Sequence, residues 1–290
     1  MKYRALGKSS IKVSEIGFGA WTIGLDWWGK KIDDAEAIKM LKRAYDLGIN
    51  LYETADMYGK GKSERLMALK FALDKSLERL QTDYIDVYSL HNPKMDAIKN
   101  DALFAALDQL VTKGTIKSHG AALGPAIGWK DEGLEAIKNR NITSLQTVYN
   151  ILEQDPGRDF LREGERHNVG IMVRVPDASG LLTGKVTADT KFDKNDHRSF
   201  RKQEFITEAI QKIENMGPIA KSKGWNITEL AIKFILSQKQ ISVVLPTMIS
   251  MEEIEMFASI SDGKYLNPVE AASVELMYEK NFYVQPVASK

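Results

Sequence analysis

The chain has 290 residues, with 40 Lys and Arg against 39 Asp and Glu, and 43% of its residues are hydrophobic. This length supports a substantial core, and the balanced charge argues against nucleic acid as the main partner, because phosphate binding needs a surplus of basic residues on one face. The absence of cysteine excludes disulfides, thiolate metal sites and a cysteine nucleophile. An apolar leader and an apolar run of about 18 residues are both missing, so we expect a cytoplasmic protein without a membrane span.

Short apolar runs alternate with amphipathic stretches along the chain, and no Pro/Gly/Ser-rich linker divides them. The sequence predicts a strand and loop over Ile16–Gly24, then a helix over Asp33–Leu47 with Ile38, Leu41 and Tyr45 on one side. Further strands are predicted at Asn50–Thr54, Tyr84–Leu90, Ile116–Ala121, Leu145–Tyr149, Ile171–Val175 and Val243–Leu245, and further helices at Leu103–Val111 and Glu229–Leu236.

This repeated strand–helix order indicates an α/β protein with a parallel sheet covered by helices. Its length favours a (β/α)8 TIM-type barrel as a single domain over residues 1–290, with the chemistry on loops after the strand ends. A doubly wound open sheet is the weaker alternative, since no G-x-G-x-x-G follows the first strand. The opening segment Tyr3–Ile16 predicts a β-hairpin with its turn at Gly7–Ser10. Two placements remain open for it, a plug at one end of the barrel and a hairpin on the surface.

Polar side chains follow two of the predicted strands. Glu53 ends the second strand, Tyr58 lies on the loop beyond, and His91 ends a later strand just before Asn92 and Pro93. In a parallel barrel these ends converge on one face, where a phenol and an imidazole can protonate and polarise a carbonyl oxygen. A structural role is the commoner one for a single Tyr or His at such a position, so spacing alone leaves both interpretations open.

Six short blocks are spread along most of the chain: Gly17–Trp21, Glu53–Gly59, Asp83–Pro93, Gln146–Asn150, Gly180–Lys185 and Val244–Pro246. In this order they resemble the blocks of the aldo-keto reductases. The resemblance implies a barrel that binds a nicotinamide dinucleotide across its C-terminal face, usually NADP(H), with NAD(H) not excluded. It also implies hydride transfer to a small aldehyde or ketone. Tyr58 would then be the acid that protonates the carbonyl oxygen, His91 would orient that oxygen, and Glu53 stands where the family has an aspartate.

The family's catalytic tetrad also has a lysine, which ends a third strand between the tyrosine loop and the histidine strand. Here the chain runs from Gly61 into leucines spaced three and four residues apart, which predict a single helix up to Leu80. We therefore expect a barrel that lacks the third strand and its neighbouring helix. Either the protein is a seven-stranded variant, or the natural protein has a segment that this chain lacks. Lys60, Lys62 and Lys70 are the nearby replacements, although the local pattern favours surface positions for them.

The resemblance also implies a set of cofactor contacts, with some departures from the family. Ala122 and Leu123 stand where the family has serine and asparagine at the nicotinamide carboxamide, which Gln146 would also contact. Arg174 has three alternatives: stacking on the nicotinamide, binding the pyrophosphate, or pairing with an acid. The block after the last strand normally supplies small residues and a basic side chain for the ribose phosphate, and a helix N-terminus there can also hold phosphate. The implied contacts are Gly19, Ala20, Gln146, Arg174, Leu181, Gly184, Pro246, Thr247, Ser250 and Glu253.

Four tryptophans on predicted loops after strands suit an apolar substrate pocket, namely Trp21, Trp27, Trp28 and Trp129. For Trp27 and Trp28, capping of exposed core is an equal alternative. His119 favours a structural role, and no His/Asp/Glu cluster has metal-ligand spacing. The mixed-charge run Lys191–Arg198 predicts a mobile loop, for which the resemblance makes a lid role over the cofactor possible. A second function class also remains, a non-catalytic relative that binds the nicotinamide nucleotide.

Overall fold

The computed structural model describes residues 1–24, 32–55, 66–124, 129–194, 196–200 and 202–284. The strands are β1 Tyr3–Ala5, β2 Lys12–Ser14, β3 Phe18–Gly19, β4 Tyr52–Glu53, β5 Ile85–His91, β6 Ile116–Ala122, β7 Ser144–Val148, β8 Gly170–Arg174 and β9 Ile241–Leu245. The helices are α1 Trp21–Gly24, α2 Asp34–Asp46, α3 Leu66–Leu80, α4 Met95–Ile98, α5 Asp101–Thr112, α6 Lys130–Asn139, α7 Gly157–His167, α8 Gln203–Ser222, α9 Ile227–Ser237, α10 Met251–Ile260 and α11 Pro268–Glu279. Single 3-10 turns occur at Leu181–Thr183, His197–Phe200 and Asn281–Tyr283.

The sheet is parallel apart from the N-terminal hairpin. Strands β5 to β9 pair in sequence order, and β3 pairs with β4. The two groups join where Ile16 bridges Val244 in β9, and the Gly17 N–H donates to the Val244 carbonyl oxygen at 2.8 Å. The spatial order is therefore β4, β3, β9, β8, β7, β6 and β5, with helices between successive strands. This confirms the predicted barrel-type α/β fold over an open doubly wound sheet.

The hairpin closes one end of the barrel. Leu6 and Val13 come from the hairpin and pack with residues of two barrel strands and with the residue just before β4, in a small apolar cluster: Leu6, Val13, Leu51, Met172, Val243 and Leu245. At the hairpin turn, Gly7 has a φ of +54°, and a Cβ there would lie 2.2 Å from the Thr143 carbonyl oxygen. The turn therefore sits against the N-terminal ends of β7 and β8, and the structure favours the plug over the surface hairpin.

The main core lies between the sheet and the outer helices. Every residue of β7 and β9 is buried, because helices cover these strands on one face and the barrel interior covers the other. Helix α9 packs against β9, and all its residues from Leu230 to Leu236 are buried. It begins at a capping box in which Asn226 accepts from the Glu229 N–H while the Glu229 carboxylate accepts from the Asn226 N–H. The predicted helix Glu229–Leu236 is thus confirmed and extends slightly at both ends.

The opposite side of the sheet ends at β4 and β5, which are not paired with each other in the described part of the chain. Tyr52 in β4 is 40% exposed, and no residue of β5 is fully buried. The helix predicted from the leucine spacing is present as α3, with Leu73 buried and Leu80 exposed. The lack of a third strand and helix stays a prediction, because residues 56–65 lie outside the described ranges.

The apolar side predicted for α2 is wrong for two of its three residues, since only Leu41 packs against the core. Ile38 and Tyr45 are 65% and 73% exposed, whereas Met40 and Ala44 are fully buried. Residues four apart share a helix face, so Met40 and Ala44 form the side that packs on the core. The prediction counted Ile38 and Tyr45 because they are large and apolar, but Met40 and Ala44 make the contact with the core.

Candidate functional site

Four residues on neighbouring strands stand at one register level near the C-terminal ends. His91 is paired with Ala122, Ala122 with Gln146, and Gln146 with Met172. We call this set the inner row. Met172 belongs to the cluster inside the barrel, and directly paired residues on parallel strands point to the same face. His91 and Gln146 therefore face the barrel interior, about 10 Å apart across two strand spacings. His91 is exposed and Gln146 is buried.

Glu53 faces the same interior from the other edge of the sheet. It is the last residue of β4, two positions after Leu51, which belongs to the interior cluster. Glu53 pairs with Gly19, and its carbonyl oxygen accepts from the Ala20 N–H at 2.7 Å. A Cβ at Gly19 would lie 3.7 Å from Glu53 Oε2, so the carboxylate sits directly over this glycine. A carboxylate thus lies at the open end of the barrel beside predicted cofactor residues.

Arg174 is the last residue of β8 and lies two residues beyond Met172 of the inner row. Its Nη2 donates to the Leu123 carbonyl oxygen at 2.6 Å and also to that of Gly124. Because β7 lies between β8 and β6, these bonds carry the guanidinium across the C-terminal end of β7, above Gln146. Ala122 and Leu123 add no polar side chain here, and both are buried. Among the described residues, the end of the barrel predicted to receive the nicotinamide therefore has one amide, on Gln146, and one guanidinium plane, on Arg174, held by backbone carbonyl oxygens.

Several predicted site residues fall outside the described part of the chain, namely Tyr58, Trp27, Trp28, Lys60 and Lys62. The side chain of Lys70 is not described either. Trp21 begins α1, so the loop predicted for it is wrong. The reason is that the strand before it is only two residues long, and the chain turns into a helical turn at once.

Trp129 precedes α6 and packs on the segment after β6. A Cβ at Gly124 would lie within 2.0 Å of the Trp129 ring, so only glycine fits beneath it. The Lys94 ammonium lies 3.7 Å from the centre of the same ring, a cation–π contact that the sequence analysis missed. Its position three residues after His91 was the available signal. Trp129 and Lys94 thus form a rim beside the end of β5.

A second group of residues surrounds the start of α10, and we call it the α10 end: Asp177–Lys185, Asp196–Arg198 and Ser250–Glu253. Leu181 is buried, and Gly180 and Gly184 have φ values of +90° and +72°. A Cβ at Gly180 would lie 2.9 Å from Arg198 Nη1, which places the predicted lid segment against this loop. Pro246 and Thr247 connect β9 to this end. Ser250 caps α10 by accepting from the Glu253 N–H at 3.3 Å.

Asp177 is a buried acid in this group that sequence reasoning did not single out. Its side chain is only 3% exposed, and its Oδ1 has no hydrogen-bond partner. Burial raises the pKa of Asp177 to about 6; the negative charge of Glu253 adds to the shift, and the positive charge of Arg198 opposes it. A carboxylate in an otherwise apolar loop stretch, between Pro176 and Ala178, was the signal in the sequence.

Other groups lie away from the strand ends. His119 is buried and its Nε2 lies 2.9 Å from Asp108 Oδ1, which suits the structural role expected for it. One surface depression of about 380 Å³ is lined by this histidine and the hairpin turn. Another, of about 360 Å³, lies beside Asp155 and Arg158 near the start of α7. Among the described helices, none has both the length and the apolar character that crossing a bilayer requires.

Comparison with known proteins agrees with this geometry. The sequence profile of the aldo/keto reductase family matches residues 15–72 and 69–275. The aldo-keto reductase YhdN of Bacillus subtilis is 27% identical, covering 96% of this chain and 94% of its own length. That alignment spans 323 positions, more than the 290 residues of this chain, so the relative has residues without a counterpart here.

Solved structures give the same result. The holo form of aldo-keto reductase AKR11C1 from Bacillus halodurans superposes with a TM-score of 0.74 at 24% identity, covering 96% of both chains. Glycerol dehydrogenase AKR11B4 from Gluconobacter oxydans superposes with a TM-score of 0.80 at 21% identity, covering 99% of both chains. Together with the profile match, which covers most of the chain, these observations show that the protein belongs to the aldo/keto reductase family, the oxidoreductases that reduce carbonyl groups with nicotinamide cofactors.

Proposed function

We propose that this chain reduces small aldehydes or ketones to alcohols with a nicotinamide dinucleotide bound across the C-terminal ends of the strands. The observation that carries the proposal is the inner row, where an imidazole on β5 and an amide on β7 face one interior space. His91 would hold the carbonyl oxygen, and Tyr58 would protonate it. The substrate would enter past Trp21, Trp27 and Trp129.

The nicotinamide end of the site fits the cofactor. Gln146 offers both a donor and an acceptor to the carboxamide, and its buried position lets few other partners compete. When bound, the dihydronicotinamide would supply the hydride. Arg174 is held by two backbone carbonyl oxygens, so its plane is fixed where a ring could stack on it. Gly19 and Ala20 would let the backbone at the end of β3 approach the cofactor closely, because neither adds a large side chain.

A lack of the tetrad lysine would change the relative rates of carbonyl reduction and alcohol oxidation. An ammonium next to a phenol stabilises the phenolate and lowers a pKa that is ordinarily about 10. If the chain lacks this lysine, Tyr58 still donates a proton during reduction. Oxidation of the alcohol needs the phenolate as a base, so we expect it to suffer more. The ratio of reduction to oxidation rates at pH 7 measures this difference.

The test follows the absorbance of NADH and NADPH with a panel of aldehydes. We expect Tyr58→Phe to lower the rate by about 10²- to 10⁴-fold, which is typical for the loss of a general acid. Tyr45→Phe is the matched control, because it removes the same hydroxyl from an exposed tyrosine of α2 and should leave the rate unchanged. Equal rates for Tyr58→Phe and the unmodified chain would contradict the catalytic role.

A second candidate function is a non-catalytic relative that only binds the nucleotide. The apolar pair Ala122 and Leu123 favours it, since it removes two side chains that would orient the carboxamide. Calorimetry that shows tight dinucleotide binding, together with no turnover on any carbonyl of the panel, would select this candidate. The choice between NADP(H), which the resemblance favours, and NAD(H) depends on the α10 end.

A further inference from the structure

The N-terminus of α10 already holds a carboxylate of this chain. Glu253 Oε2 accepts from the Ile249 N–H at 2.8 Å, just before the helix, while Ser250 accepts from the Glu253 N–H. The resemblance places the adenosine ribose and its phosphate at this block, where a basic side chain is usual. The Glu253 side chain is only 14% exposed, so its negative charge is fixed beside the helix start.

The cations near this carboxylate are themselves paired with acids. The Lys185 ammonium lies 2.8 Å from Glu253 Oε1. The Arg198 guanidinium binds both oxygens of Asp196, at 2.9 Å and 2.6 Å. A phosphate arriving here would compete with these carboxylates for both cations.

A second acid lies near Glu253. Asp177 is buried, and it lies close enough to Glu253 for the charge of Glu253 to disfavour its ionisation. Its unpartnered Oδ1 adds an acceptor and no donor. The α10 end therefore offers acceptors and paired cations, and this composition does not fit the 2′-phosphate of NADP(H), which carries nearly two negative charges at neutral pH.

We infer that Glu253 makes this chain select NAD(H) over NADP(H). A carboxylate accepts hydrogen bonds from the free hydroxyls of the adenosine ribose, whereas it repels a phosphate at the 2′ position. Acidic residues perform this selection in other dinucleotide sites, in which arginine marks the phosphate-binding form. The inference depends on the proposed function, since it assumes that the dinucleotide lies across this face.

The test is a direct binding titration that needs no turnover. Purified protein is titrated separately with NADH and with NADPH, and the fluorescence of the nicotinamide and of the tryptophans gives each Kd. A hydrogen bond to a charged group contributes enough for at least about a tenfold difference, so we expect the Kd for NADH to be lower than that for NADPH by that factor. We expect Glu253→Gln to reduce the ratio at least about fivefold, because the repulsion is gone while the amide still caps the helix.

Glu252→Gln is the matched control. It removes the same charge from the same helical turn, but Glu252 is exposed, and the ratio should change less than about twofold. A thermal melt by circular dichroism checks that both variants fold as the unmodified chain does. Tighter binding of NADPH than of NADH, or an unchanged ratio in Glu253→Gln, would overturn the inference and leave the proposed function standing. Failure to bind either dinucleotide would overturn both.

Discussion

The two sides of the barrel are built from the same strand–helix repeat but are packed very differently. On one side every residue of β7 and β9 is buried between the hairpin-plugged interior and helices such as α9. On the other side β4 and β5 are unpaired with each other in the described ranges, and β5 has no fully buried residue. The proposed site spans this difference, since Gln146 and Arg174 stand on the packed side while His91 stands on the exposed one. The cofactor is thus expected to lie against the more buried strands, and the proton transfer beside the less buried ones.

The largest expected effect on stability comes from a pair of leucines, one on the buried side of the barrel and one on the less buried side, that stand at the same level of the sheet. Leu145 in β7 and Leu90 in β5 both align with Ala121, so they face the same outward direction. Leu145→Ala should lower the free energy of unfolding by about 3 to 4 kcal/mol, because Leu145 is fully buried. The half-buried Leu90 should lose only about 1 kcal/mol on the same change. Urea unfolding measures both values, and equal losses would show that the two sides are equally packed.

The hairpin plug gives the next effect. Gly7→Ala places a Cβ against the Thr143 carbonyl oxygen in a left-handed conformation, and we expect a loss of about 3 kcal/mol. Gly114→Ala is the control, since Gly114 also has a positive φ but a Cβ there meets nothing within 4 Å. It should cost about 1 kcal/mol. If both substitutions lower the urea midpoint equally, the hairpin does not press on the barrel end.

Asp177→Asn should stabilise the protein in a pH-dependent way. Burial raises the pKa of Asp177 to about 6, above the ordinary carboxyl value near 4, so the unfolded chain loses this proton first as the pH rises. The stability of the unmodified chain should therefore fall from about pH 4 to pH 6 through this group, and Asn removes that fall. We expect the variant to gain about 3 kcal/mol at pH 7.5 and nothing at pH 3.5. A gain that is the same at both pH values would place its origin in packing.

The smallest effect is expected on the exposed side of α2. Ile38→Ala should change the free energy of unfolding by less than about 0.5 kcal/mol, because the side chain is largely in water. Met40→Ala, two residues away and fully buried, is the comparison and should lose at least about 2 kcal/mol. A large loss for Ile38→Ala would mean that something covers this surface in solution.

The sequence predicted the strand–helix order well because period and turn chemistry are local. The strand that contains Gln146 and the helix that follows Asn226 differ from their predicted bounds by one or two residues. The side of a helix that packs on the core was harder to predict. In α2, Met40 and Ala44 are buried, whereas Ile38 and Tyr45 are exposed. Apolar size alone does not show which side meets the core.

The positions of His91 and Gln146 at one level of the sheet followed from the strand pattern, and their roles in the site stay predictions. Lys94 and Asp177 were missed, since their environment is made by contacts between segments distant in sequence, such as the Trp129 ring and Glu253. Tyr58 and its surroundings stay a prediction.

Isotope transfer tests the central claim most directly. The protein and an aldehyde are incubated with a dihydronicotinamide dinucleotide that carries deuterium at both positions of its C4 carbon. Mass spectrometry then measures the deuterium content of the alcohol. The account predicts an alcohol with one deuterium on the former carbonyl carbon, formed by the unmodified chain and by Tyr45→Phe but strongly reduced in Tyr58→Phe. An alcohol without deuterium, or no alcohol beyond the protein-free control, would contradict it.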